Sequence, residues 1–232
     1  MNKSQPTILL LPGMDGTGRL FRWLIPEIQS FAMPVTIAYP GDRFLNYSEL
    51  ADYVAGQIPA GPYVILAESF SGPVAVALAA KKHSGLRAVI LSTSFIAPPA
   101  PSWLKIAPLR MLFRARVPKL LLRWLLLDST CDAEIVAEVA DAVGEVCPAV
   151  LAARFREILT ADAGDALRSC HVPVLYLAAS RDRLIGRRGL RTIQRVRPDI
   201  ETVTLEGPHL LLQAQPRAAA HAIKTFLDRC VE

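Results

Sequence analysis

Residues 62–80 read PYVILAESFSGPVAVALAA, and the rest of the chain takes its meaning from them. An apolar run ends at Ala67, the turn Glu68-Ser69-Phe70-Ser71-Gly72 follows, and small apolar residues then continue for the length of a helix. A strand that passes through so tight a turn into a helix holds the turn serine in a strained conformation, its hydroxyl exposed at the end of a sheet. The turn also brings strand and helix too close for large side chains two before and two after the serine, positions held here by Ala67 and Ser71. Ser69 is therefore the candidate nucleophile. Ser71 competes less well, because its flanking positions are Ser69 and Pro73 and the strand would end too early. The plain alternative is a helix N-terminus whose hydroxyls only cap backbone N–H groups.

Outward from this segment, short β-branched or leucine-rich runs bounded by Pro and Gly alternate with stretches of helical periodicity. That pattern predicts an α/β fold, a mainly parallel sheet of about six strands with helices on both faces. Strands are expected over 7–11, 35–39, 63–67, 88–92, 172–178 and 200–205, the last alternating as a half-exposed edge does. Helices are expected over 18–31, 48–57 with Ser48 as N-cap, 70–82, 186–196 and 216–230. No strand signal occurs between Phe95 and Cys170, far too long a stretch for a strand crossover. Residues 96–170, rich in Leu, Ala and Arg and broken by prolines, are expected to form a helical cap inserted before the fifth strand. Such a cap lies over the carboxyl ends of the strands, where open α/β sheets bind ligands. Residues 1–95 and 171–232 then make the core.

A serine hydroxyl is a weak nucleophile, so it needs a base, and the base needs an acid to orient it. Asp182 follows the strand expected over 172–178, and His209 follows the one expected over 200–205. Both loops fall at the same end of the sheet as Ser69. His83 ends a helix, His171 precedes a strand at the opposite end, and His221 lies within the last helix, so none competes with His209. Asp162 and Asp165 are reserve acids inside the insertion. The first strand runs into Leu11-Pro12-Gly13-Met14-Asp15-Gly16-Thr17-Gly18, whose glycines let backbone N–H groups turn inward. Its spacing does not match a dinucleotide fingerprint, and no Lys-Ser/Thr pair follows to make a phosphate loop.

Composition narrows the classes further. The chain has 232 residues, 52% of them hydrophobic, and a net charge of +5, enough apolar content for a full core. Its longest apolar run, 74–80, is too short to span a bilayer, and the N-terminus lacks a signal-peptide core, so a cytoplasmic location is expected. Cys131, Cys147, Cys170 and Cys230 show no metal-binding or redox spacing. The cations cluster: residues 98–127 carry six Lys and Arg with no acid, and residues 181–197 carry seven Arg against Asp182. With no nucleic-acid fold signature, these runs are expected to be solvated faces, or surfaces for an anionic substrate or for peripheral membrane contact.

The opening LLPGMDGTG, the AESFSG turn, the SRDRLI loop and the GPHLLLQAQP segment together resemble the α/β-hydrolase superfamily, in particular its small bacterial serine esterases and acyl hydrolases. The order Ser, Asp, His is that of the family. The resemblance implies Ser69 as nucleophile, His209 as general base and acid, Asp182 as its orienter, and the backbone N–H groups of Met14 and Phe70 as oxyanion donors. It further implies hydrolysis of a carboxylic ester through an acyl-enzyme, with no metal or organic cofactor, and the Leu, Trp and Phe mixed with Arg and Lys over residues 103–127 point to an apolar acyl group. The substrate would be a small molecule, not a nucleic acid. A thioesterase acting on acyl-CoA or an acyl-carrier protein is the nearest alternative, and a non-catalytic lipid-binding protein on the same scaffold is another. Three departures stand out. Pro12 replaces the His of a common His-Gly pair, Ala67 and Ser71 replace the usual glycines, and the chain begins too late for two N-terminal strands usual in the family.

Overall fold

Six apolar or β-branched runs pair side by side as parallel strands: β1 (Thr7–Leu11), β2 (Met33–Thr36), β3 (Tyr63–Glu68), β4 (Leu86–Ser92), β5 (Val174–Ala179) and β6 (Glu201–Leu205). They form one sheet in the order β2-β1-β3-β4-β5-β6. The computed structural model describes residues 5–114, 118–128 and 131–230. Between the strands lie α1 (Ile25–Ile28), α2 (Tyr47–Ala55), α3 (Gly72–Ala80), α4 (Leu109–Arg114), α5 (Lys119–Leu126), α6 (Ala133–Gly144), α7 (Pro148–Ile158), α8 (Gly164–Ser169), α9 (Gly186–Val196), α10 (Leu211–Ala214) and α11 (Pro216–Cys230).

Side chains alternate along a strand, so the sheet divides the core in two. Leu9, Leu11, Ile65, Ala67, Val89 and Leu91 pack on one face against α2, α3, α8 and α9. Ile8, Leu10, Val64, Leu66, Ala88 and Ile90 pack on the other, against α1, α10 and α11. Both sets are buried, which is why the central strands read as continuously apolar. The edge strand β6 is only partly covered, matching its alternating sequence.

The structure corrects four local expectations. The second strand occupies Met33–Thr36 rather than 35–39. Ile37 and Tyr39 are apolar because they are buried beyond the ladder, where the Tyr39 N–H donates to the Gly16 carbonyl. The single helix expected over 18–31 is a 3-10 turn, Arg19–Trp23, followed by α1, because Pro26 at the start of α1 cannot donate back to the preceding turn. The cap of α2 is Asn46, not Ser48; its side chain accepts from the Glu49 N–H while Glu49 reciprocates. The helix expected over 70–82 begins as a 3-10 turn at Ser69–Ser71 and becomes α3 only at Gly72.

From β4 to β5 the chain runs through α4 to α8. Leu122 of α5 and Val136 and Val139 of α6 form a separate cluster seated on Leu20 and Leu210, two residues from loops at the carboxyl end of the sheet. Arg116 of the first basic run lies outside the described residues. Among the described residues, no helix is long and apolar enough to cross a membrane.

Candidate active site

The turn after β3 is built to hold Ser69. Its φ is +46°, the left-handed region that costs an L-residue roughly 1–2 kcal/mol. Neighbouring contacts sustain it. Ser94 Oγ donates to the Ser69 carbonyl at 2.5 Å, and the buried Phe70 ring packs on Tyr47 at 5.0 Å and edge-on to Tyr39 at 6.3 Å. Ser71 points away from the site: its buried hydroxyl lies 2.6 Å from Tyr39 Oη and donates to the Pro12 carbonyl. A serine is thus tolerated where glycine is usual because its hydroxyl is satisfied inside the core. The close approach falls one residue later, at Gly72, where a Cβ would lie 2.0 Å from Ser94 Oγ and 3.0 Å from the Phe95 carbonyl. Gly72→Ala is expected to lower stability by about 1–3 kcal/mol through overpacking, read as a shift of the urea midpoint.

Ser69 Oγ lies 2.9 Å from His209 Nε2, and His209 Nδ1 lies 3.0 Å from Asp182 Oδ1. The loops after β3, β5 and β6 therefore bring the three sequence candidates into one hydrogen-bonded line. Burial alone would raise the Asp182 carboxyl. The hydrogen bond and charge of His209, with the N–H groups of Ile185 and Leu184 at 3.1 and 2.9 Å, outweigh burial and hold it below the ordinary value. Asp182 is thus ionised at neutral pH. The other candidates stay apart: His83 lies in the turn before β4, at the opposite end of the sheet, and His171 and His221 are exposed. Asp162 and Asp165 are also exposed, Asp165 pairing with Arg168.

Three residues that sequence reading passed over support this line. Arg154, on α7, is buried and donates to the backbone carbonyls of Met14, Asp15 and Pro40 at 2.8–2.9 Å. Gly16, with φ +74°, leaves room for that guanidinium, since a Cβ there would lie 2.5 Å from Arg154 Nη1. Within the loop, Asp15 Oδ2 accepts from the Thr17 N–H at 2.9 Å and hydroxyl at 2.6 Å. A side chain from α7 thus pins the loop that carries Met14. Arg154→Met leaves these carbonyls without their donor, and is expected to cost about 2–4 kcal/mol in stability. It should also lower kcat more than it raises KM, measured by urea unfolding and steady-state kinetics.

Glu68 and Gln213 are the other two. The Glu68 carboxyl is buried directly before Ser69, and Gln213 Nε2 donates to its Oε2 at 3.3 Å. Burial pushes it up to about 7, against the Gln213 hydrogen bond and with the Asp15 charge adding to the rise. A carboxyl raised on folding favours the fold while protonated. The Glu68 contribution to stability is therefore greatest below pH 4.5, falls by about 3 kcal/mol as pH rises, and levels off above about 7. Glu68→Gln is expected to flatten that slope in urea midpoints taken across the interval.

Ser69 and His209 open into a cavity of about 350 Å³ walled by Leu104, Phe113, Leu122, Val139, Phe155 and Leu184. So apolar a chamber suits a hydrocarbon chain. Among the described residues, no group of His, Cys, Asp and Glu is arranged to hold a metal ion.

The chain is similar over 97% of its length to solved hydrolases. These include a thermophilic esterase from Thermogutta terrifontis, at 20% identity, 90% coverage of that chain and a TM-score of 0.83. They also include a hydrolase from Pseudomonas aeruginosa, at 16% identity, 91% coverage and 0.84. The enol-lactonase from Burkholderia xenovorans aligns at 15% identity, 92% coverage and 0.79. At such identities the likeness concerns the fold. No curated protein matches the sequence. The sequence profile described as "Alpha/beta hydrolase family" matches residues 8–222, and the chain belongs to that family.

Proposed function

We propose that this protein is a serine-dependent hydrolase of carboxylic esters with an apolar acyl group, residues 96–170 serving as the cap over its acyl pocket. The observation that carries the reading is the hydrogen-bonded line Ser69, His209, Asp182 at the mouth of an apolar cavity. Ser69 Oγ attacks the acyl carbonyl carbon while His209 Nε2 takes its proton. The oxyanion of the tetrahedral intermediate is met by the backbone N–H groups of Met14 and Phe70. His209 returns the proton to the departing alkoxide as the carbon–oxygen bond breaks. Water then attacks the acyl-enzyme with His209 again as base, releasing the carboxylic acid and regenerating Ser69. Asp182, ionised, keeps the Nδ1 proton in place throughout.

The four cysteines are free, which suits a cytoplasmic enzyme. The test is labelling by a fluorophosphonate probe together with turnover of p-nitrophenyl esters of increasing acyl length. Labelling, with rates that rise with chain length until the cavity is filled, is expected. A protein neither labelled nor active on any ester overturns the proposal. Preference for an acyl-CoA over the matching ester would move the assignment to a thioesterase.

A further inference from the structure

The helices of the insertion are apolar on two sides. Their inner side chains, Leu104, Phe113 and Leu122 among them, wall the cavity at Ser69. Their outer ones face outward: Trp103 is 66% exposed, Ile106 88%, Met111 74%, Leu120 81% and Trp124 59%. Single exposed apolar residues are ordinary, but five large ones within 22 residues of chain are not.

The charges on this face are of one sign. On the neighbouring surface several cations pair with acids, as Arg19 does with Glu138 and Glu145, Arg22 with Glu134 and Glu138, and Arg181 with Asp128 and Glu206. Residues 98–127 contain no acid at all, and the exposed Arg110, Arg114 and Lys119 have no ion pair among the described residues. Arg183 adds a further cation here, lying over the Trp124 ring at 5.5 Å.

Three occupants could cover such a face. A second copy would bring the same uncompensated positive charge against it, which costs energy at close range. An acidic protein would answer the cations but not two exposed tryptophans and three aliphatic side chains spread over separate helices. An anionic bilayer answers both: tryptophan and aliphatic side chains enter the interface while Arg and Lys meet lipid phosphates.

We propose that the outer face of the insertion, centred on Trp103, Ile106, Leu120 and Trp124 with Arg110 and Lys119, docks on anionic phospholipid membranes, so that acyl chains pass from the lipid into the cavity beneath. The passage of substrate rests on the esterase reading; the docking does not. Co-sedimentation with phosphatidylcholine vesicles, with and without phosphatidylglycerol, tests it. The parent is expected to bind the anionic vesicles at least about tenfold more tightly than the neutral ones, and less so as salt is added. Ile106→Ser/Leu120→Ser and Arg110→Glu/Lys119→Glu should each weaken this binding by about tenfold or more, with turnover of a soluble short-chain ester unchanged.

Absence of binding to anionic vesicles, or binding untouched by both double variants, overturns the proposal. So does a dimer in light scattering that Ile106→Ser/Leu120→Ser dissociates, since a second copy is then the occupant. Vesicle binding that persists in Ser69→Ala and in a parent without esterase turnover supports the docking while removing only the esterase reading.

Discussion

Replacement of Ser69 by alanine is expected to lower kcat on a p-nitrophenyl ester by about 10⁴–10⁶-fold and to abolish fluorophosphonate labelling. The reason is specific to this turn. Ser69 Oγ is the atom 2.9 Å from His209 Nε2, while Ser71, the nearest other hydroxyl in sequence, is held in the core by Tyr39 and the Pro12 carbonyl. Ser94 Oγ, the other hydroxyl beside the turn, is committed to the Ser69 carbonyl. Alanine inherits the same left-handed backbone, so stability should change little, and a thermal melt within a few degrees of the parent would separate lost chemistry from lost folding. The residual rate would come from the apolar cavity and the oxyanion donors. Turnover within tenfold of the parent would falsify the assignment.

Asp182→Asn should be nearly as damaging, lowering kcat by about 10³–10⁴-fold with KM little changed. Asp182 Oδ1 accepts from His209 and from the Leu184 and Ile185 N–H groups. The Asn amide oxygen can still bind the two backbone groups, which preserves the loop. His209 meets that same oxygen, but it is neutral, so the developing imidazolium loses its counter-charge; an amide turned the other way would present its NH₂ and favour the wrong imidazole tautomer as well. Asp162→Asn and Asp165→Asn serve as controls; both side chains are exposed, and each variant should stay within twofold of the parent. Equal losses in all three would show that the effect is not positional.

How much of this could be read in advance follows from the range of the interactions. The central strands were legible because burial on both faces leaves a continuous apolar run, as at Tyr63–Glu68 and Leu86–Ser92. The exposed edge β2 was displaced by two residues because Ile37 and Tyr39 are apolar for a reason outside the ladder. Pro26 showed where the first helix would break, yet periodicity across it suggested one continuous element.

Sequence by itself determined the α/β architecture and named Ser69, Asp182 and His209, because each sits just past a legible strand and a parallel sheet puts all such loops at one end. Tertiary structure alone decided what surrounds them. Arg154 reaches Met14 across 140 residues, Gln213 reaches Glu68 across 145, and Tyr39 meets Ser71 across 32. None of these pairs has a periodic or local signature. A buried cation on α7, a carboxyl raised by burial and a serine turned into the core are set by which segments the sheet brings together, and desolvation acts only once they are packed.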